Sequence, residues 1–91
     1  MPVVETSFVI TNKVGLHLRP AGLLVQTAAQ FQSKIKVQFG DKTANAKSIM
    51  GVMKLGVSMG DSIVVQAEGE DAEQAVAALT DLVRRNFDEE E

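Results

Sequence analysis

The chain has 91 residues and a net charge of −3, with 45% hydrophobic residues, 23% charged residues, one histidine and no cysteine. This composition is typical of a small globular protein; it excludes disulfides and thiolate metal sites, and the single histidine argues against a zinc centre. No apolar run approaches the roughly 20 residues of a membrane span and no secretory signal is evident, so we expect one cytoplasmic domain over residues 1–91 without membrane insertion.

The N-terminal segment predicts a strand followed by a helix. Apolar and polar residues alternate over 4–11, as they do in a half-buried strand. Residues 12–15 then predict a loop. From Leu18 to about Phe31, apolar positions recur at helical spacing and predict an amphipathic helix.

The middle of the chain predicts a hairpin and a short helix. Residues 35–39 alternate as a strand with one solvent-facing side. Gly40-Asp41 suits a two-residue turn, because glycine tolerates the positive φ of such turns, and a short strand over 42–46 should follow. Residues 48–54 predict one or two turns of helix, capped by Ser48.

The last third predicts a strand and a long helix. Residues 62–68 alternate as a strand. Asp71 and Gln74 stand at the spacing of a capping box, so we expect the Asp71 side chain to cap the helix. The apolar stripe of that helix comprises Ala72, Ala75, Val76, Leu79, Leu82, Val83 and Phe87.

The resulting element order is βαββαβα. Two long amphipathic helices must bury their apolar faces on one side of a sheet, and alternating strands leave the other side to solvent. Right-handed crossovers place the first two strands parallel, with room for the last strand between them. The residues thus predict an α+β open-faced β-sandwich with the helices on one face of a four-stranded sheet, but they leave the strand order open. A ferredoxin-like arrangement shares the element order up to the final helix.

Charge is divided unevenly along the chain. Residues 1–60 carry seven basic and two acidic residues, a sum of +5, whereas 61–91 carry ten acidic residues and two arginines, a sum of −8. The basic part favours docking to acidic proteins. Nucleic acid is not an expected partner, because the overall charge is negative and all four aromatic residues are phenylalanines in apolar patterns. The acidic run 88–91 is expected to be a solvated tail.

His17 lies immediately before the first predicted helix, in the segment Gly15-Leu16-His17-Leu18-Arg19-Pro20-Ala21-Gly22. An isolated histidine at a helix start is more often structural, with a ring that caps the helix or forms a local hydrogen bond. However, the unpaired N–H groups and partial positive charge of a helix start favour an anion, and the planar fork of Arg19 suits phosphate oxygens. No metal ligand or second acid or base accompanies His17, which favours a phosphoryl carrier over a hydrolase.

Two segments together resemble one known family: Gly15-Leu16-His17-Leu18-Arg19-Pro20-Ala21 and Asn45-Ala46-Lys47-Ser48-Ile49-Met50-Gly51-Val52-Met53. At this separation, in a chain of this length, they are similar to the histidine-containing phosphocarrier protein HPr of the bacterial phosphoenolpyruvate:sugar phosphotransferase system. The resemblance spans essentially the whole chain. It implies an antiparallel sheet in the order 1-4-2-3.

The resemblance also implies a carrier with a covalent phosphohistidine, rather than an enzyme, and no cofactor or metal. His17 would accept a phosphoryl group on Nδ1 from enzyme I and pass it to EIIA proteins or domains. Arg19 matches the phosphate-site arginine of the family, and the N–H groups of Leu18 and Arg19 would face the phosphoryl oxygens. Leu18 replaces the Ala or Thr of many members. Its larger apolar side chain would either alter partner fit or shield the phospho-imidazole from water, and it removes no group that the reaction needs.

Ser48 has a structural and a regulatory interpretation. Serine is a favoured N-cap, and the resemblance implies regulatory phosphorylation by the HPr kinase/phosphorylase of many bacteria. A phosphate is electrostatically favoured at a helix N-terminus, yet its charge would repel an acidic partner.

A partner-binding patch is expected around Met50 and Met53, because methionine adapts to several partners. Ile49 and Leu55 should be partly core. The predicted partner-binding residues are Leu18, Lys47, Ile49, Met50, Met53 and Lys54, with Arg19 at the edge. We expect a monomer.

Two other functions fit parts of the sequence. One is a regulatory interaction protein of a nitrogen-related or catabolite-control branch. The retained His17 argues against a regulator that carries no phosphoryl group, but it does not exclude a regulatory branch. The other is a ferredoxin-like small-molecule or RNA-binding module, in which His17 has no role.

Overall fold

The computed structural model describes residues 2–88, so most of the predicted acidic tail lies outside the described residues. The elements follow the predicted order: β1 Val3–Val9, α1 Leu18–Ala28, β2 Lys34–Phe39, β3 Lys42–Asn45, α2 Ile49–Lys54, β4 Ser62–Glu68 and α3 Ala72–Arg84, with a short 3-10 turn at Asn86–Asp88. Among these residues no helix has the length and apolar character needed to cross a bilayer.

The four strands form one sheet in the order β1-β4-β2-β3, and every neighbouring pair is antiparallel. β4 lies between β1 and β2, in the space that the right-handed crossover left open and in the order that the family resemblance implied. One face is buried and the other is wet: on β2, Ile35 and Val37 are buried while Lys34 and Lys36 are exposed. These findings confirm the α+β open-faced sandwich with a 1-4-2-3 sheet.

The core lies between the sheet and the apolar faces of α1 and α3. All seven residues of the predicted α3 stripe are buried. The helix itself, however, ends at Arg84. Phe87 enters the core through three consecutive residues with positive φ, between 52° and 59°, so its burial was predicted correctly but its helical conformation was wrong. Helical spacing also placed the end of α1 at Phe31, three residues too late.

Asp71 does not form the predicted capping box. Its side chain makes no cap hydrogen bond to its own helix; the carboxylate accepts instead from the backbone N–H groups of Gln32 and Ser33, at 2.8 and 2.9 Å, and from the Ser33 hydroxyl. Gly69 permits this approach, since a Cβ there would lie 2.9 Å from the Ser33 Cα. The Asp71 carboxylate therefore ties the start of α3 to the loop before β2.

This tie predicts a pH-dependent contribution to stability. The Ser33 hydroxyl, followed by the Gln32 N–H, lowers the pKa of Asp71 from its ordinary value of 3.8. Because the folded-state pKa is depressed, the stabilisation is present above pH 3.8 and is lost as the pH falls through the folded-state value. Thermal melts should show wild type more stable than Asp71→Asn at pH 7. The difference in Tm between the two proteins should narrow as the pH falls below 3.8. A gap that is constant with pH would contradict the assignment.

Candidate functional site

The loop before α1 is held rigidly by local contacts. Asn12 is buried, and its Nδ2 donates to the Gly15 carbonyl oxygen at 2.8 Å, while the Gly15 N–H donates to the Asn12 carbonyl at 3.2 Å. Gly15 has φ +64°, and a Cβ at this position would lie 2.4 Å from the Val57 carbonyl oxygen. Only glycine fits both the backbone conformation and the space.

The same loop is fastened to the loop that joins α2 to β4. The Leu16 N–H donates to the Val57 carbonyl at 3.0 Å, and the Gly60 N–H donates to the Ile10 carbonyl at 2.7 Å. Within the second loop, the Ser58 N–H donates to the Asp61 carboxylate at 2.9 Å. The sequence predicted these segments only as loops; side-chain-to-backbone bonding by Asn and Asp, a common stabiliser of turns, was the available signal.

His17 is the N-cap residue of α1, with an extended backbone at φ −76° and ψ −174°. Its carbonyl oxygen accepts from the Ala21 N–H at 2.8 Å, but its imidazole makes no cap hydrogen bond and the residue is exposed. The structural interpretation of His17 as a capping ring is therefore wrong. The ring stands at the helix start and is accessible to another protein.

The first turn of α1 has unpaired N–H groups and a partial positive charge that no acidic residue of the turn offsets. Leu18 and Arg19 are its first two residues, whose N–H groups have no partner within the helix, and Pro20, the third, has no N–H to offer. No acidic residue lies in this turn, so nothing on the helix neutralises its partial positive charge. Arg19 is exposed beside it. Together these groups can stabilise an anion carried by His17.

Ser48 caps α2 as predicted. Its Oγ accepts from the Gly51 N–H at 3.1 Å, and its backbone is extended, as is usual for an N-cap. A Cβ on Gly51 would lie 3.2 Å from this hydroxyl oxygen. α2 packs against α1, and the N-cap residues of the two helices are His17 and Ser48, the two residues that the sequence singled out.

The predicted partner-binding residues divide by exposure. Leu18 and Met50 are 60% and 65% exposed, and Ile49 is 38% exposed. Met53 is half-buried against the core, so Met50 rather than Met53 carries the apolar surface.

The flanking residues also differ from one another. Leu55 is buried and Lys54 exposed, whereas Lys47 donates from Nζ to the Phe31 carbonyl oxygen at 2.7 Å beyond the end of α1. Val14 and Met59 are further exposed apolar residues, at 51% and 58% exposure on the two joined loops. Sequence periodicity could not identify them, since loops have none.

Comparison with known proteins matches this geometry to one family. A family described as "PTS HPr component phosphorylation site" matches residues 4–85. HPr-C-His from Thermoanaerobacter tengcongensis is 52% identical with a TM-score of 0.93, over 97% of this chain and 99% of that one. The phosphocarrier protein HPr from Bacillus anthracis is 42% identical with a TM-score of 0.86, over 91% and 99%.

A related protein of different description is also similar. Crh, the Bacillus subtilis catabolite repression protein, is 43% identical with a TM-score of 0.73, over 81% of this chain and 85% of that chain. Its crystal structure is described as a dimer with a swapped domain. The HPr structures superimpose more closely than Crh does.

The 1-4-2-3 sheet, its one-sided helices and the family match together define the phosphocarrier class of open-faced sandwich. The chain belongs to the HPr family of the phosphotransferase system, as its two sequence segments predicted. The ferredoxin-like alternative was wrong.

Proposed function

We propose that residues 1–91 act as one HPr-like carrier, which takes a phosphoryl group from phospho-enzyme I onto His17 and delivers it to EIIA proteins or domains in sugar uptake. The observation that carries this proposal is the exposed, uncapped imidazole at a helix start that has no acidic residue in its first turn. Incubation with a cognate enzyme I, Mg²⁺ and phosphoenolpyruvate should add one acid-labile phosphate per chain. Absence of incorporation would contradict the proposal.

The transfer needs little from the carrier. An unprotonated imidazole nitrogen, Nδ1 by the family resemblance, bonds to phosphorus as the bond between phosphorus and the donor breaks. The phosphoryl oxygens then face the Leu18 and Arg19 N–H groups, and the Arg19 guanidinium offsets their charge. Stabilisation by a helix terminus is modest, about 0.3–1 kcal/mol at an exposed position. The phosphoryl group is therefore not trapped, and the same step reversed delivers it to the acceptor.

The partners should dock on a face that is apolar at its centre and basic at its edge. Leu18, Ile49 and Met50 supply the exposed apolar surface, and Arg19 and Lys54 lie exposed on the same two helices. Since donor and acceptor use this face in turn, a monomer in the cytoplasm suffices.

A second candidate is a regulatory role in a catabolite-control or nitrogen-related branch. The similarity to Crh supports it, whereas the closer superposition on HPr structures favours the carrier. Transfer from the phosphorylated chain to a sugar-specific EIIA, measured beside transfer to a nitrogen-type EIIA, separates the two. Faster transfer to the sugar-specific acceptor supports the carrier role in sugar uptake.

Phosphorylation of Ser48 by an HPr kinase/phosphorylase is proposed as the regulatory input. The hydroxyl stands at the start of α2, next to exposed Ile49 and Met50 on the proposed docking face. A phosphate there would place negative charge where an acidic partner binds. The fold should tolerate it, because an anion is favoured at a helix N-terminus.

Ser48→Asp tests this arrangement. Asp and Asn are both good N-caps, so Ser48→Asp and the neutral control Ser48→Asn should keep stability within about 0.5 kcal/mol of wild type. We expect Ser48→Asp to slow phosphorylation by enzyme I about fivefold, near 1 kcal/mol of charge repulsion, and Ser48→Asn to leave the rate unchanged. Equal rates for all three proteins would show that Ser48 lies off the shared face.

A further inference from the structure

The two edges of the sheet differ in how well they are protected against pairing with another chain. β3 forms one edge, and it has only four residues and begins with Lys42. Short length and lysine are common means by which proteins prevent an edge strand from pairing. β1 forms the other edge, and it has seven residues, no lysine or proline, and Glu5 as its single charge. The β1 edge therefore lacks both protections.

β1 also leaves apolar side chains incompletely covered. On its core-facing side Val4 and Phe8 are only half-buried, whereas the core-facing residues of neighbouring β4 are all buried. On its solvent side Val3 and Val9 are 52% and 53% exposed. Within the described chain β1 pairs with β4 alone, and a groove runs along the strand between β1 and α3. The outer backbone edge and the apolar side chains beside it can therefore receive an added strand.

The β1 sequence is complementary to itself in one antiparallel register. In that register all seven residues pair, apolar with apolar and polar with polar: Thr6 with Thr6, Val3 with Val9, Val4 with Phe8, and Glu5 with Ser7. Aromatic and β-branched side chains that lie opposite each other stabilise a sheet. A shift by two residues in either direction leaves two residues of each strand unpaired, and in one direction it sets Glu5 opposite Glu5. A shift by one residue turns the helices of the second copy to the other face of the sheet.

We propose that a second copy of this chain pairs with the free edge of β1 in this register, which joins two four-stranded sheets into one sheet of eight strands. The pairing has the two-fold symmetry of most homodimers. It goes beyond the proposed carrier function and does not depend on it. β1 and β3 lie at opposite edges of the sheet, and α2 packs near β3, so Ile49 and Met50 remain open to partners.

The dimer should be weak and reversible. A standard interface uses about 20–30 residues on each partner, and one strand of seven residues supplies far fewer. Sedimentation equilibrium should show a monomer at low concentration and a growing fraction of dimer as the chain approaches about 1 mM. A monomer is therefore the form that meets enzyme I in a dilute transfer assay.

Charge placed at Ser7 tests the register. Ser7 is exposed, and in the proposed dimer it lies opposite Glu5 twice, once on each side of the two-fold axis. We expect Ser7→Lys to lower the Kd of the dimer about fivefold and Ser7→Glu to raise it about fivefold, because opposite charges across a sheet attract and like charges repel.

Thr43 provides a matched control, since it is exposed on β3 at the opposite edge of the sheet. Thr43→Lys and Thr43→Glu change the net charge by the same amounts as the Ser7 variants, but they should leave the Kd unchanged. All four variants should melt as wild type does at low concentration, because both positions are exposed.

Three results would overturn the inference. The first is a wild type that remains monomeric at about 1 mM. The second is a pair of Ser7 variants whose Kd values shift in the same direction, or no more than those of the Thr43 variants. The third is a slowly dissociating dimer that does not respond to charge at Ser7, as expected if the two copies exchange β1 and each strand keeps its register with β4.

Discussion

His17→Ala will incorporate no phosphate from phosphoenolpyruvate and enzyme I under conditions in which wild type takes up one acid-labile group per chain. The substitution removes the only imidazole of the protein, and no neighbouring residue can replace the nucleophile. Stability should change by less than about 0.5 kcal/mol, because the ring is exposed and makes no cap hydrogen bond. Loss of incorporation with an unchanged melting curve would therefore report chemistry and not unfolding.

Arg19→Ala is the graded companion to that experiment. Arg19 is exposed and supplies charge to the phosphoryl oxygens rather than the reacting atom, so incorporation should slow but persist. Arg19→Lys should recover part of the rate, since it keeps the charge and loses the planar fork. Phosphate found on His17→Ala, mapped by mass spectrometry to another residue, would refute the assignment of His17.

Local sequence patterns predicted most of the fold, because an element with one buried face repeats its apolar residues at the spacing of a strand or a helix. Alternation located the strands, and the α3 stripe predicted the burial of every one of its seven residues. The same pattern could not distinguish a continuing helix from the left-handed turn at Phe87, which buries the same side chain. Asp71 escaped prediction for a different reason: its donors lie 38 and 39 residues away in sequence, and a capping motif contains no information about them.

Some features of the candidate site are set by adjacent residues, and others depend on residues that are distant in sequence. The predicted environment of His17 is local, because a helix start with Arg19 in its first turn is defined by adjacent residues. The support for His17 is only partly local: Asn12 and Gly15 bond to each other within one loop, but the bond from Leu16 to Val57 forms only after two loops come together. Exposure of Met50 and partial burial of the neighbouring Met53 likewise depend on which side of a short helix faces the core.

Gly15→Ala should be the most destabilising of the substitutions considered, by about 3 kcal/mol. A left-handed conformation costs an alanine roughly 1–2 kcal/mol, and the new Cβ would lie 2.4 Å from the Val57 carbonyl oxygen and 2.7 Å from the Ser58 Cα. Both are backbone atoms, so the two loops must separate. Separation breaks the hydrogen bond from the Leu16 N–H to the Val57 carbonyl, worth about 1 kcal/mol.

Gly40→Ala isolates the contact from the conformational cost. Gly40 has φ +61°, almost the same as Gly15, but a Cβ there meets nothing within 4 Å. Urea denaturation should show Gly40→Ala destabilised by about 1–2 kcal/mol and Gly15→Ala by clearly more; equal losses would mean that the two loops do not support each other.

Function supplies an independent readout of the same contact. His17 follows two residues after Gly15, so displacement of the loop should slow phosphorylation of the fraction that remains folded. Gly40→Ala should leave that rate unchanged, because Gly40 stands in the β2–β3 turn and not in either loop that supports His17. A Gly15→Ala protein that is destabilised yet phosphorylated at the wild-type rate would show that the two loops stabilise the fold without positioning the histidine.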